Sequence, residues 1–329
     1  MKKPRGHHGP AQKGAAILTA MLLVTLVASL SAAALWQQWR GVEIETAERA
    51  RLQSGWILRG ALDWARLILR EDARAGTTDH LAEPWAVPLQ EARLSTFLAV
   101  SPDSNDPGGG APDAFLSGRV SDLQARLNVL NLVQEGGPHL ATVKAFSRLF
   151  ASLQIPENQL IVLVNNLKLA LDAPAATAEP MPVPVPVPLL PRSVEQLVWL
   201  GLSDASIALL RPFITMLPER TAVNLNTAPA VVLYACIEKL TMADAQRLVA
   251  ARALTHFKTL TDVATALGAS DSRLIEGEHS VQSRYFEVFG QLRLDTRVVH
   301  EHSVMRRDGL QVTVLWRERG TQAASASVQ

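Results

Sequence analysis

From Ala15 to Leu35 the chain runs for 21 residues without a charge. As a helix rising about 1.5 Å per residue, this run is about 30 Å long, one hydrocarbon core. No other feature constrains the fold as strongly. A secretory signal has a shorter apolar centre of about 7–15 residues ahead of a small-residue cleavage site. "SLSAAA", residues 29–34, offers such a site, so the continuation must decide between a discarded signal and a retained anchor. Lys2, Lys3, Arg5 and Lys13 precede the run, and no acidic residue appears before Glu43. The positive-inside rule therefore keeps the N-terminus cytoplasmic and translocates the rest. His7 and His8 in this leader read as a solvated tail rather than a metal pair.

Beyond Leu35 the helical pattern continues. No proline lies between Ala11 and Pro84, and Ile57, Ala61, Trp64, Ala65 and Ile68 recur at helical spacing among Arg59, Asp63, Arg66 and Arg70. Gly41, Gly55 and Gly60 each weaken the helix by about 1 kcal/mol relative to alanine and mark places for bends. Trp36 and Trp39 stand where interfacial aromatics belong. One helix from about residue 15 to about residue 73 is expected, apolar first and amphipathic second. A cleaved signal gives no reason for that continuity; an anchor does.

A chain of 329 residues has room for two packed units or for one domain with a large insertion. Its net charge of +1 provides no global field to recruit nucleic acid. The single cysteine, Cys236 in "VVLYACIEKL", excludes an internal disulfide framework and multi-cysteine metal sites, and reads as a buried helical thiol.

The basic leader, the apolar helix and its amphipathic continuation resemble the type IV pilin and pseudopilin family. The resemblance implies that a prepilin peptidase cuts "QKG|AAILT" after Gly14, leaving Ala15 as the first, N-methylated residue of a retained helix. Most family members carry glutamate at the fifth mature position; here it is Thr19. A carboxylate near the bilayer interior costs about 2.5–3.5 kcal/mol on insertion scales. In pilin filaments its attributed purpose is to attract the N-terminal amine of a subunit already in place. A subunit that joins first meets no such amine, and a threonine hydroxyl can bond back to its own helix at little cost. The class lacking the glutamate is the K class of minor pseudopilins from type II secretion systems.

Downstream, "SPDSNDPGGGAPDAF" is rich in turn residues. "LSGRVSDLQARLNVLNLV" reads as a short strand and a polar turn before a helical stretch. Asp122, Gln124, Asn128 and Asn131 match the K-class segment there, and such side chains bond nearby backbone and fix irregular turns. K-class members can carry a calcium-binding acidic cluster after the following helices; here "NNLKLALDAPAATAEP" offers Asp172 nearly alone. Calcium takes about six to eight oxygen ligands, a set the sequence does not assemble, so no cofactor is expected. "LATVKAFSRLFASLQIPENQLIVLVNNLKLALD" reads as two helices broken near Ile155-Pro156, and prolines at 174, 180, 182, 184, 186, 188 and 191 make an extended connector.

Helices resume from Ser193, and "TAVNLNTAPAVVLYACIEKLTMADAQRLVAARAL" resembles a helix-hairpin-helix unit. Asn224, Asn226 and Thr227 precede a helix at 228–238, and a second spans 243–253. DNA-binding copies grip phosphate with a glycine-containing hairpin; this one has "EKLTMAD", and residues 221–268 balance four cations against three acids. "VNLNTA" matches the K-class pattern, in which the fold serves protein packing. Period-two alternation at 285–289 and 312–316 marks strands, with a hairpin turn at "RRDG" between Val304 and Leu310.

The expected fold is α+β: a pilin-like long N-terminal helix packed on an antiparallel sheet, with a large all-helical insertion of SAM or helix-hairpin-helix type. The expected segments are a leader at 1–14, the membrane half of the helix at 15–35, a pilin body at 36–134, and an insertion at 135–281 with its proline connector at 173–191. Terminal strands follow at 282–319 and a disordered tail at 320–329. His80, His139, His256, His279, His300 and His302 are scattered, "HEH" at 300–302 fits strand alternation, and no glycine-rich phosphate loop or nucleophile–base pair appears, so catalysis is not expected. The resemblance implies a subunit at the tip of an inner-membrane pseudopilus, nucleating or capping assembly with the I and J minor pseudopilins for export of folded proteins. Processing by prepilin peptidase and contact with the inner-membrane secretion platform follow from the same resemblance. A bulky insertion would collide with the next subunit inside a filament and fits the end position alone. The alternative, a membrane-anchored competence-type DNA receptor, is opposed by the missing glycine and the near-neutral module.

Overall fold

A proline-free stretch at residues 11–83 leaves nothing to break a helix, and α1 runs unbroken over Lys13–Ala75, through Gly41, Gly55 and Gly60. The computed structural model describes residues 13–94, 114–172, 187–268, 274–294 and 297–323. Expectations for the leader at 1–12, for the loop at 95–113, for most of the proline connector and for the last six residues lie outside them. The chain divides into two compact units, Met1–Ile57 and Leu58–Gln329.

The first unit holds the apolar part of α1. Its 18-residue window of mean hydropathy 2.2 is wholly unburied, and α1 is the one helix among the described residues long and apolar enough to cross a membrane. Its hydroxyls turn inward on their own helix: Thr25 Oγ1 donates to Leu22 O at 3.0 Å and Ser29 Oγ to Leu26 O at 2.9 Å. Lipid offers no partner, so this self-satisfaction lets a polar side chain stay in the span.

In the second unit, the end of α1 buries Leu58, Leu62, Ala65 and Leu69. This stripe is shifted from the expected Ile57, Ala61, Trp64, Ala65 and Ile68: Ala65 is common to both, Ile68 packs half-buried against the same core, and Trp64 stays exposed. Apolar residues occupy most of the helix circumference there, so spacing alone does not choose the face; the sheet does. Leu62, Ala65 and Leu69 pack with Trp85, Phe286, Val288, Met305 and Val312.

The sheet has five antiparallel strands in sequential order: β1 (Leu89–Arg93), β2 (Ala114–Asp122), β3 (Tyr285–Leu294), β4 (Arg297–Asp308) and β5 (Gln311–Ala323). It is a meander interrupted once, between β2 and β3, by residues 123–284. That interval carries α2 (Leu140–Ser152), α3 (Glu157–Leu171), α4 (Asp204–Leu210), α5 (Ala230–Cys236), α6 (Met242–Leu254) and α7 (Leu260–Ala266). Its core is separate from the sheet's and includes Val129, Phe146, Leu163, Leu197, Leu210, Val232 and Val263. Capping boxes start α6 (Thr241 with Asp244) and α7 (Thr259 with Asp262).

Several boundaries differ from expectation. The insertion begins at residue 123 rather than 135, because Leu127, Val129, Leu132 and Val133 already belong to the helical core. Two 3-10 turns, Leu123–Ala125 and Val129–Leu132, replace the expected helical stretch, since Asp122 and Asn128 cap each after two residues. The last hairpin turns at Gly309-Leu310, with Asp308 paired to Gln311, so "RRD" is strand; Gly309 supplies the left-handed φ of +56°. Residues 320–323, expected in a disordered tail, continue β5 against Arg297–His300.

Gly118 of β2 faces Gly290 of β3, and a Cβ on Gly118 would sit 2.9 Å from the Phe289 carbonyl oxygen. That neighbour is backbone and cannot swing aside. Gly118→Ala is expected to destabilise the protein by about 1–3 kcal/mol through strand displacement, read as a lower denaturation midpoint of the full chain in detergent. An unchanged midpoint would contradict the contact.

Candidate functional site

β2 ends in an aspartate, and everything that leaves or re-enters the sheet around it is tied to that carboxylate. Asp122 is 5 % exposed. Its Oδ1 accepts the Gln124 N–H at 2.7 Å, and its Oδ2 accepts from Asn224 Nδ2 at 3.0 Å, from Ser283 Oγ at 2.6 Å and from Thr227 Oγ1. Burial pushes the carboxyl up, and these four donors pull the other way. Asn224 also donates to Asp79 O and to Ser283 Oγ, and its Oδ1 accepts the Asn226 N–H. Residues at the insertion's start (Asp122, Gln124), middle (Asn224, Thr227) and end (Ser283) thus meet at one buried point.

The remaining amides of the two motifs extend the seam. Gln124 Nε2 donates to Ala222 O at 2.9 Å and its Oε1 accepts the Arg284 N–H at 2.6 Å. Asn128 donates to Glu219 O and accepts from Leu130 and Leu217; Asn131 makes a reciprocal pair with the Thr221 backbone. Asn226 makes another with the Phe257 backbone. The sequence suggested local turn-fixing. Asp122 and Asn128 do cap their own turns, but most of their bonds cross about 90–160 residues of chain.

A second charged layer carries no motif in the sequence. Arg307 of β4 bonds Asp72 of α1 at 2.7 Å, Asp79 and the Ser283 carbonyl, and lies over the Phe286 ring. Asp79 also accepts the Ser283 N–H at 2.7 Å. Burial pushes Asp79 up to about 6 against the pull of Arg307. Glu83, which accepts from His80 N–H and Trp85 Nε1, is pushed by burial up to about 7. His80 stacks on His256 at 3.8 Å, joining two histidines that are far apart in sequence; burial and that neighbour lower His80. Isolated acids in a loop default to solvent, so only the pairing with a strand arginine would have revealed Asp79.

The oxygens of Asp72, Asp79 and Glu83 lie within 4.8 Å of one another. They do not fit a calcium site: Arg307 already neutralises two of them, and the set falls short of about six oxygen ligands. Glu301, the centre of "HEH", is buried and paired with Arg319, while His302 bonds Glu287 at 2.7 Å. Burial alone would raise Glu287, but His302 and Arg126 hold it down at about 2. Burial drives the Cys236 thiol up to about 12, which disfavours its thiolate at neutral pH.

The helix-hairpin-helix unit closes on itself. The turn between α5 and α6 holds Lys239 at a left-handed φ of +58°. Arg148 of α2 donates to Ile237 O and Leu240 O at 2.5 and 2.6 Å, and Arg252 donates to Leu225 O at 2.6 Å. These cations are spent on internal carbonyls. At the other end of the chain, α1 begins at Lys13, so Gly14 and Ala15 lie in its first turn. Thr19 Oγ1 reaches back to Ala15 O and Ala16 O at 3.1 and 3.0 Å.

Asn224→Ala leaves Asp122 short of a donor and the Asp79 carbonyl unpaired. A loss of about 2–4 kcal/mol is expected in equilibrium unfolding, and it should be strongly non-additive with Asp122→Asn. Additive effects would separate the two residues. Asp79 and Glu83, raised from 3.8 and 4.5 to about 6 and about 7, bind protons more tightly folded than unfolded. Their contribution therefore makes stability fall as pH rises from about 4 to about 7. Glu287 acts oppositely, but only below its ordinary value of 4.5. Unfolding midpoints across that window should decline with pH and flatten in Asp79→Asn; a rise would refute the assignment.

Two family profiles described as type II secretion system (T2SS), protein K, match residues 125–219 and 223–282, almost the whole insertion. The type II secretion system protein K of Pseudomonas aeruginosa is 28% identical over 328 residues, covering 94% of this chain and 93% of that protein. The fold matches a chain in the crystal structure of the GspK-GspI-GspJ complex from the enterotoxigenic Escherichia coli type 2 secretion system. The TM-score is 0.64 at 19% identity, over 83% of this chain and 98% of that one.

Proposed function

We propose that this chain, which belongs to the protein K family of type II secretion systems and is a minor pseudopilin, sits at the tip of the pseudopilus. There it starts or caps assembly for export of folded proteins across the outer membrane. The observation that carries the reading is the seam around Asp122. It clamps a helical insertion of residues 123–284 at the end of the sheet where α1 also ends, through Asp72, Asp79 and Arg307. A further subunit stacked beyond that end would meet the insertion. The fifth-position hydroxyl supports the same reading: Thr19 is bonded to its own helix and offers no carboxylate to a neighbour's amine.

In this reading prepilin peptidase cleaves between Gly14 and Ala15, and Ala15 is then N-methylated. The apolar part of α1 anchors the protein in the inner membrane, with the N-terminus cytoplasmic and the bulk periplasmic. Its partners are I- and J-class minor pseudopilins, the classes named in the similar complex, together with the inner-membrane platform. The role is structural, without catalysis, cofactor or nucleic acid.

N-terminal sequencing of the protein purified from membranes should begin at Ala15, and the full chain should co-purify with the I and J subunits of its own system. A start near Ala32 would mean an ordinary signal peptide. Tight, salt-sensitive DNA binding by the full chain would mean a receptor instead.

A further inference from the structure

The "HEH" triplet at residues 300–302 has no part in the seam. Strand alternation sends its middle residue to one face of the sheet and both histidines to the other. Glu301 shares the α1 face of β4 with Met305, and it is buried there with Arg319. His300 and His302 stand two residues apart on the outer face. His300 lies against the Phe289 ring at 5.7 Å and His302 against Trp316 at 4.8 Å. The register with β5 sets Glu318 directly opposite His302 and Gly320 directly opposite His300. Opposed residues share a face, with Cβ atoms about 4.5–5.5 Å apart, so two imidazoles and one carboxylate border the same patch. Gly320 leaves room beside His300: a Cβ there would meet nothing within 4 Å.

The protons are already arranged for a cation. His302 Nε2 lies 2.7 Å from Glu287 Oε1, and Glu287 Oε2 accepts from Arg126 at 3.0 Å. A carboxylate held by an arginine accepts rather than donates, so in the neutral ring the proton sits on Nε2 and the lone pair on Nδ1. Proteins use this carboxylate–histidine pairing to fix the tautomer and orientation of a metal-ligating ring. His300 Nδ1 is buried without a hydrogen-bond partner, an uncommon state that marks a group short of its ligand. Glu318 is exposed and has no partner among the described residues. Two imidazoles with a carboxylate suit zinc and its neighbours, whereas calcium and magnesium take oxygen ligands.

We propose that His300, His302 and Glu318 bind one divalent transition-metal ion of the zinc class on the outer face of β4 and β5, with Glu287 orienting His302. The two rings turn from Phe289 and Trp316 to reach the ion, solvent completes its coordination, and the strand backbone stays in place. The ion ties the edge strand β5 to β4 and takes part in no reaction. The inference does not rest on the tip reading, because it concerns two strands within one chain.

The test titrates zinc chloride into the full chain in detergent by calorimetry. The parent carries His7→Ala and His8→Ala, so that the histidines of the leader do not compete. Saturable binding with a Kd of about micromolar order is expected. Affinity should fall at least about tenfold in His300→Asn and in Glu318→Gln, the smallest loss usual even for groups that only orient a ligand. Neither side chain has a hydrogen bond to lose, so metal-free melting temperatures should stay close to the parent's. Zinc should raise the melting temperature of the parent and of neither variant. Saturation only at about millimolar zinc, the behaviour of an adventitious ion, would overturn the site. So would an affinity unchanged in either variant.

Discussion

Removing a carboxylate from water costs several kcal/mol unless the interior supplies donors for it, and Asp122 is a carboxylate almost wholly removed. Its four donors come from β2's own exit, from the "VNLNTA" segment and from the residue that returns the chain to β3. No one of these segments can leave without stranding the charge. The interaction therefore makes the two ends and the middle of the insertion a single cooperative joint. Loop-closure entropy grows slowly with length, so a long excursion from a meander is affordable once its ends are pinned. Asp122 does the pinning.

Arg307 carries the joint to α1. By pairing with Asp72 on the helix and Asp79 on the loop after it, while reading the Ser283 carbonyl, it makes the end of α1, β4 and the insertion's exit one electrostatic unit. Asp79 remains raised despite that arginine, so its burial outweighs the attraction. Such a pair adds little net stability compared with apolar packing, but breaking it is costly, because removal of one partner leaves a buried charge uncompensated.

The parts legible in the sequence were those governed by local chemistry. The absence of proline marked α1, Pro156 marked the break between α2 and α3, and alternation marked the late strands. The amides of both motifs were singled out by their resemblance to K-class segments, not by local chemistry alone. What escaped depended on distance. Asp79, Ser283 and Arg307 lie apart in sequence and carry no pattern. The buried stripe of α1 was one residue off, because a broadly apolar helix becomes one-sided only when a sheet covers it. The insertion's start was set too late, since the 3-10 turns after Asp122 look like a helix on composition alone.

In the segment that resembles a helix-hairpin-helix unit, the basic side chains nearest the turn face inward. The device that grips phosphate elsewhere is a hairpin presenting unsatisfied backbone amides, with cations nearby. Here Arg148 approaches the turn between α5 and α6 from within the same chain and donates to its carbonyls. Arg252 is likewise spent on Leu225. Each cation drawn into such a bond is lost to an external anion and gained by internal packing.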